Sequence, residues 1–190
     1  MIFEELTSVV RTHMHNEFQA EQSSQHCPPY RPKVLTALGE SIFCATMEEH
    51  LLHGTEDTLR QALSPSIFWV ERGIRNTKKG PVPYTLPGHL RAKVFAVTDF
   101  NSWYIRGLCK QLMIEGVEVC EVYRAEHAYE PRGECALLEG KILRVDVVYR
   151  GHRARYHPES AANPLAVSIP AGPNCHHSIR RTARDVNVAA

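Results

Sequence analysis

Six cysteines and eleven histidines in this 190-residue chain could bind a metal or act as nucleophiles. The cysteines stand at 27, 44, 109, 120, 135 and 175, and no two form a Cys-x-x-Cys pair. Cys175 is followed directly by His176 and His177. Cys175 and His177 are two apart, so one metal ion could engage both where the backbone turns; thiolate sulfur and imidazole nitrogen are donors that suit zinc. A thiol beside an imidazole is also the pair that acyl transfer uses. No nucleophile signature and no His-Glu-x-x-His motif supports an enzyme. His13 and His15, two apart, fall on different sides of a helix and make a poor metal pair. His26-Cys27 sits in a proline-rich linker and is read as inert.

The elements that must position these groups follow from periodicity and breakers. Phe3, Leu6, Val10, Met14 and Phe18 recur at helical spacing, and the helix should be lost by Pro28-Pro-Tyr-Arg-Pro32. Residues 1–25 therefore read as an arm rather than part of the core. A second helix spans 33–53, with Gly54 at its C-terminal cap and Thr55 capping a short helix that ends near Leu63. Ile67–Val70 and Arg91–Val97 have strand character, and 72–87 reads as an exposed polar loop. Asp99 or Thr98 caps a helix that buries Trp103, Leu108 and Leu112 and ends at Gly116. Residues 117–122 alternate as a half-buried strand, 142–149 read as another, and 151–172 as irregular.

The fold class implied is α+β: N-terminal helices, then a small sheet packed on a helix, closed by an irregular C-terminal lobe. Three regions result: a helical arm with its linker at 1–32, a helical and strand region at 33–96, and a module with a basic tail at 97–190. A hydrophobic content of 43% is enough for a real core. No window approaches the roughly 18 apolar residues of a membrane span, and the N-terminus lacks a signal-peptide pattern, so the thiols are read as reduced in an intracellular, soluble protein. Residues 1–60 hold nine acids and four bases, whereas 141–190 hold eight bases and three acids. Either the two ends face different partners or they balance each other within the fold.

Three short motifs stand in order in the C-terminal half: Glu115-Gly-Val-Glu, then Arg132-Gly-Glu-Cys-Ala-Leu-Leu-Glu-Gly-Lys141, then Pro173-Asn-Cys-His-His177. Together they resemble the Mu F-like minor head proteins of tailed bacteriophages, the phage head morphogenesis family. There a helix ending in Gly-Val and a strand precede Arg-x-x-His-x-x-Leu-x-Gly-Lys, a variable loop and a terminal Pro-Asn-Cys-Arg-Cys. The resemblance covers about residues 97–181. Arg132, Gly140 and Asn174 match the motifs unchanged, whereas Cys135 replaces a His and His177 replaces a Cys. Both exchanges swap one zinc donor for another.

The resemblance implies a virion structural protein without enzymatic activity, a minor head or head-completion component. It would be made in the host cytoplasm and carried in the particle as part of a multi-copy assembly. Its expected partners are the portal, other head proteins or packaged DNA, with no membrane. The candidate metal ligands for a structural zinc are Cys135, Cys175 and His177, the fourth being His176, His157, His152 or water. Arg132 would bridge its turn to the terminal loop by binding carbonyls or a carboxylate such as Glu134 or Glu139, and Gly140 suits a positive φ. Arg180, Arg181 and Arg184 are candidate contacts to nucleic acid or a partner. The alternative function is a zinc- or cysteine-dependent hydrolase using Cys135, Cys175 and His177, with Glu134 or Glu139 as general base.

Overall fold

The computed structural model describes residues 1–25, 31–126, 137–155 and 176–182, with only the backbone for 153–155. Five α-helices lie among them: α1 (Ser8–Gln22), α2 (Ala37–His53), α3 (Glu56–Ala62), α4 (Gly88–Ile114) and α5 (Val145–Arg155). Strands β1 (Arg72–Thr77) and β2 (Gly80–Thr85) pair as an antiparallel ribbon. Strands β3 (Val119–Arg124), β4 (Ile142–Arg144) and β5 (His177–Arg181) form an antiparallel sheet in the order β4-β3-β5. The class is α+β, as the sequence implies.

The 27-residue α4 is the axis, roughly 40 Å long at 1.5 Å per residue. Every fourth side chain from Ala92 through Ala96, Phe100, Tyr104 and Leu108 to Leu112 is fully buried. Phe95, Trp103, Ile105 and Cys109 are buried beside that stripe, so α4 is enclosed on several sides. Its start is set by Pro87 and by Glu71, whose carboxylate accepts the Gly88 N–H at 2.7 Å and places a negative charge at the helix N-terminus. The strand expected at 91–97 is therefore the first half of this helix. Val94, Phe95 and Val97 favour a strand locally, but burial of Ala92, Phe95 and Ala96 at helical spacing outweighs that preference. Asp99, expected as a cap, lies buried in the helix interior.

α1 is not a detached arm. Val10, Met14 and Phe18 are buried in the core, and Phe18 meets the Trp103 ring of α4 edge-on at 5.2 Å. An amphipathic stripe of that size needs a partner, and α4 supplies it. Gly107 permits the approach: a Cβ there would stand 2.6 Å from Met14 Cγ and 2.8 Å from the Val10 carbonyl oxygen. The division between 96 and 97 likewise falls inside α4.

α2 begins at Ala37, where the Thr36 hydroxyl accepts the Gly39 N–H at 3.1 Å, and it ends at Gly54 as expected. Thr55 caps α3 through a reciprocal pair with Thr58, also as expected. The strand expected at 67–70 is one turn of 3-10 helix, Ser66–Phe68, followed by a single bridge between Trp69 and Leu35. The loop expected at 72–87 contains the β1–β2 ribbon.

Beyond β4 the expected strand at 142–149 gives way to α5. Val145, Val148 and His152 are buried at spacings of three and four, and Tyr149 Oη donates to Glu17 Oε1 of α1 at 2.7 Å. The irregular segment expected at 151–172 lies, past α5, outside the described residues.

Candidate functional site

The central strand β3 assembles the site. Cys120 and Val122 are buried and Glu121 is half-buried, the alternation expected for 117–122. Gly116 ends α4 with a φ of 75°, so the chain can reverse into this strand. Tyr123 is buried as well, because the N-terminal segment lies over its side of the sheet. Tyr123 Oη donates to the Ile2 carbonyl at 2.7 Å, and the Ile2 N–H donates to the Ala125 carbonyl at 2.7 Å.

Two motif segments meet on this platform. Residues 137–140 turn, with the Gly140 N–H donating to the Val122 carbonyl at 2.8 Å. Gly140 has a φ of 74°, the conformation expected of it, which disfavours any side chain. The terminal strand β5 pairs with β3 on the other side, placing His177 opposite Arg124 and Ile179 opposite Val122. Glu139 closes the gap. Its Oε1 accepts from Arg124 Nη2 and lies 3.4 Å from His177 Nε2. The Arg124 guanidinium, then His177, holds the Glu139 carboxyl below the usual carboxylate range. His177 is fully buried, and its backbone carbonyl accepts from Asn101 Nδ2 of α4 at 2.7 Å. The site thus ties a turn, a terminal strand and the central helix together.

Arg180 and Arg181 follow on β5 and are engaged within the chain. Arg180 reaches Glu4 at 2.9 Å and Glu121 at 3.1 Å, with its guanidinium 5.3 Å from the Tyr123 ring. Arg181 reaches Glu5 at 2.6 Å and also pairs with Glu115, while its backbone N–H donates to Glu5 Oε1 at 2.6 Å. Their guanidinium pKa values are raised, by Glu121 for Arg180 and by Glu115 for Arg181. Part of the acidic start and the basic end therefore balance each other inside the fold. Arg180, Glu4 and Glu121, with Arg124 and Glu139, line a shallow recess of about 350 Å³ whose charges are mixed.

Of the residues singled out from sequence, His177, Gly140, Arg180 and Arg181 are brought together on and beside β3. Cys135, Cys175, Arg132, Asn174 and Arg184 lie outside the described residues, as do Glu134 and His157. His152 is buried in α5, and His176 is half-buried at the start of β5, its carbonyl accepting the Ala125 N–H at 2.7 Å. Asn101, Arg124, Glu4 and Glu5 were missed as partners. Pairing across 176 positions leaves no local spacing to read, although the opposed charge of the two ends pointed to it.

Cys109 and Cys120 are buried free thiols. Burial pushes Cys109 well up and Cys120 to about 12, so neither offers a thiolate near neutrality. Among the described residues no three His, Cys, Asp or Glu side chains converge as a metal site requires. Of Cys135, Cys175 and His177 the described residues include His177, and of the candidate fourth ligands they include His152 and His176. The buried imidazole of His177 turns Nε2 toward the Glu139 carboxylate.

Compared with protein-family models, with curated proteins and with solved structures, the chain matches none.

Proposed function

We propose that this chain is a structural component of a bacteriophage virion, a minor head or head-completion protein that joins the portal or packaged DNA during head assembly. It is made in the host cytoplasm and carried in the particle in several copies, without enzymatic activity of its own. The observation that supports this best is the contact of Glu139 with His177, 3.4 Å apart. It joins the Leu-Leu-Glu-Gly-Lys turn to the strand that continues the Pro-Asn-Cys-His-His motif. Segments 38 residues apart, chosen from sequence for their likeness to one family, thus meet on the strand that follows the Glu-Gly-Val turn. Paired carboxylates and guanidiniums around them suit a staple more than a reacting centre, since a reacting group needs an unengaged face.

A structural zinc held by Cys135, Cys175 and His177 belongs to the same proposal. When bound, it would tie the terminal strand to the motif turn, and that binding energy would be folding energy. Replacing Cys175 by serine is expected to lower metal content and thermal stability together. A parent protein that purifies without metal, and a Cys175→Ser variant of unchanged melting temperature, would remove zinc from the account.

Fractionation of a producing lysate on a density gradient tests the larger assignment. The protein is expected with capsid-sized particles; recovery with free soluble proteins alone would overturn it.

A further inference from the structure

With Arg180 and Arg181 committed to carboxylates of the chain itself, a cluster of positive charge without ion pairs among the described residues lies in another part of the fold. Residues 72–85, Arg-Gly-Ile-Arg-Asn-Thr-Lys-Lys-Gly-Pro-Val-Pro-Tyr-Thr, contain four bases and no acid. They form the β1–β2 ribbon, and Arg72, Arg75, Lys78 and Lys79 are all exposed. Among the described residues none of these four side chains makes an ion pair. The adjoining acid, Glu71, is turned to the start of α4, where its carboxylate holds the Gly88 N–H.

The ribbon is anchored at its base and open at its tip. Tyr84 packs against Arg91 of α4, whose guanidinium lies 5.5 Å from the ring, and Gly73 lets the same ring lie close over β1. Beyond that point both strands are exposed, and Ile74 is 73% exposed. Arg72 and Arg75 are three apart and so point to opposite faces, while Lys78 and Lys79 make the turn. Positive charge therefore surrounds the ribbon rather than covering one side.

We propose that the β1–β2 ribbon is a binding surface for duplex DNA, which it holds by phosphate contacts through Arg72, Arg75, Lys78 and Lys79. Three features separate this partner from others. Strand addition by another protein on the outer edge of β2 is disfavoured, because Pro81 and Pro83 there lack the N–H groups that an added strand would accept. A protein interface would set an apolar core among few lysines, whereas here lysines occupy the tip and apolar exposure is confined to single residues such as Ile74 and Val82. Single-stranded nucleic acid is bound by exposed aromatic rings on which bases stack, and the ribbon's one aromatic ring, Tyr84, is half-buried against Arg91. The major groove of a duplex, about 12 Å wide, admits a two-stranded ribbon with phosphates on both sides. Six residues per strand span about 20 Å, enough to cross it.

The inference does not need the particle assignment. A protein that stays out of particles yet binds DNA through this ribbon keeps the one and loses the other.

The test is fluorescence anisotropy of the full chain with a random-sequence 30-base-pair duplex. Four phosphate contacts predict that affinity falls about a hundredfold between roughly 50 and 200 mM salt. The pair Lys78→Gln and Lys79→Gln should reduce the slope of log affinity against log salt by about 1.8. Adding Arg72→Gln and Arg75→Gln should bring affinity at low salt to the limit of detection. The pair Lys33→Gln and Arg150→Gln, distant in sequence and also exposed, should leave binding within about twofold, and circular dichroism checks that each variant is folded. Binding that the ribbon variants leave unchanged would overturn the proposal. So would tighter binding to a single strand of the same length, or a self-association lost in the variants without any binding to DNA.

Discussion

Glu21→Ala should lower the stability of this protein by about 3–5 kcal/mol, a large effect for a single polar substitution. Glu21 closes α1 and Arg106 lies in the middle of α4; Oε2 and Nη1 are 2.8 Å apart, and the residues are 2% and 1% exposed. The guanidinium also stacks 4.4 Å from the Trp103 ring. Removing the carboxylate takes the 2.8 Å partner from a buried guanidinium that stays charged, because Arg106 does not give up its proton. The loss measures that removal rather than the worth of the pair. Glu21→Leu combined with Arg106→Met should therefore recover most of it, since an apolar pair of similar volume is near neutral or better. Arg106→Lys should itself destabilise, because an ammonium cannot reproduce the planar stack on Trp103. Urea unfolding of the four proteins checks this. A Glu21→Ala loss below about 1 kcal/mol would mean that the pair is not closed off from water.

Gly107→Ala should destabilise by about 2–3 kcal/mol, although alanine is the better helix former by about 1 kcal/mol. At an open helical position the exchange gains stability. Here the added Cβ would lie 2.6 Å from Met14 Cγ, 2.8 Å from the Val10 oxygen and 2.9 Å from the Met14 nitrogen. A flexible methionine can move aside; two backbone atoms of α1 cannot without shifting that helix. Since Val10, Met14 and Phe18 are buried where α1 meets α4, the shift would open the core. A gain in melting temperature on Gly107→Ala would show that α1 and α4 do not pack this closely.

What could be read from the chain before folding is local. Gly54 and Thr55 mark a helix stop and start wherever they stand, and Gly116 and Gly140 take positive φ where a turn needs one. The alternation along β3 was legible because one of its faces is buried and Glu121 is not. The misreadings share one cause. Residues 91–97 and 145–149 are rich in valine and aromatic side chains and read as strands, yet both form helix in which Ala92, Phe95 and Ala96, or Val145 and Val148, turn toward the core. Propensity is outweighed when a helical stripe finds a partner that spacing alone cannot reveal. The ribbon at 72–85 was hidden by Pro81 and Pro83, which usually mark loops but fit an edge strand whose N–H side faces water. In the candidate site, Gly140 and His177 were legible from motifs. Asn101, Arg124 and the Glu4 and Glu5 partners of β5 come from three distant segments, and only the folded chain joins them.

Membership of a virus particle, as proposed, is tested more directly by location than by chemistry. A lysate of producing cells, banded on a density gradient and washed in high salt, should retain the protein with capsid-sized particles at a fixed ratio to the portal. The wash matters because a protein held only by phosphate contacts through the ribbon would leave in salt, whereas a head component built into the assembly would stay. Recovery of the whole pool at the top of the gradient, with particles free of it, would contradict the assignment.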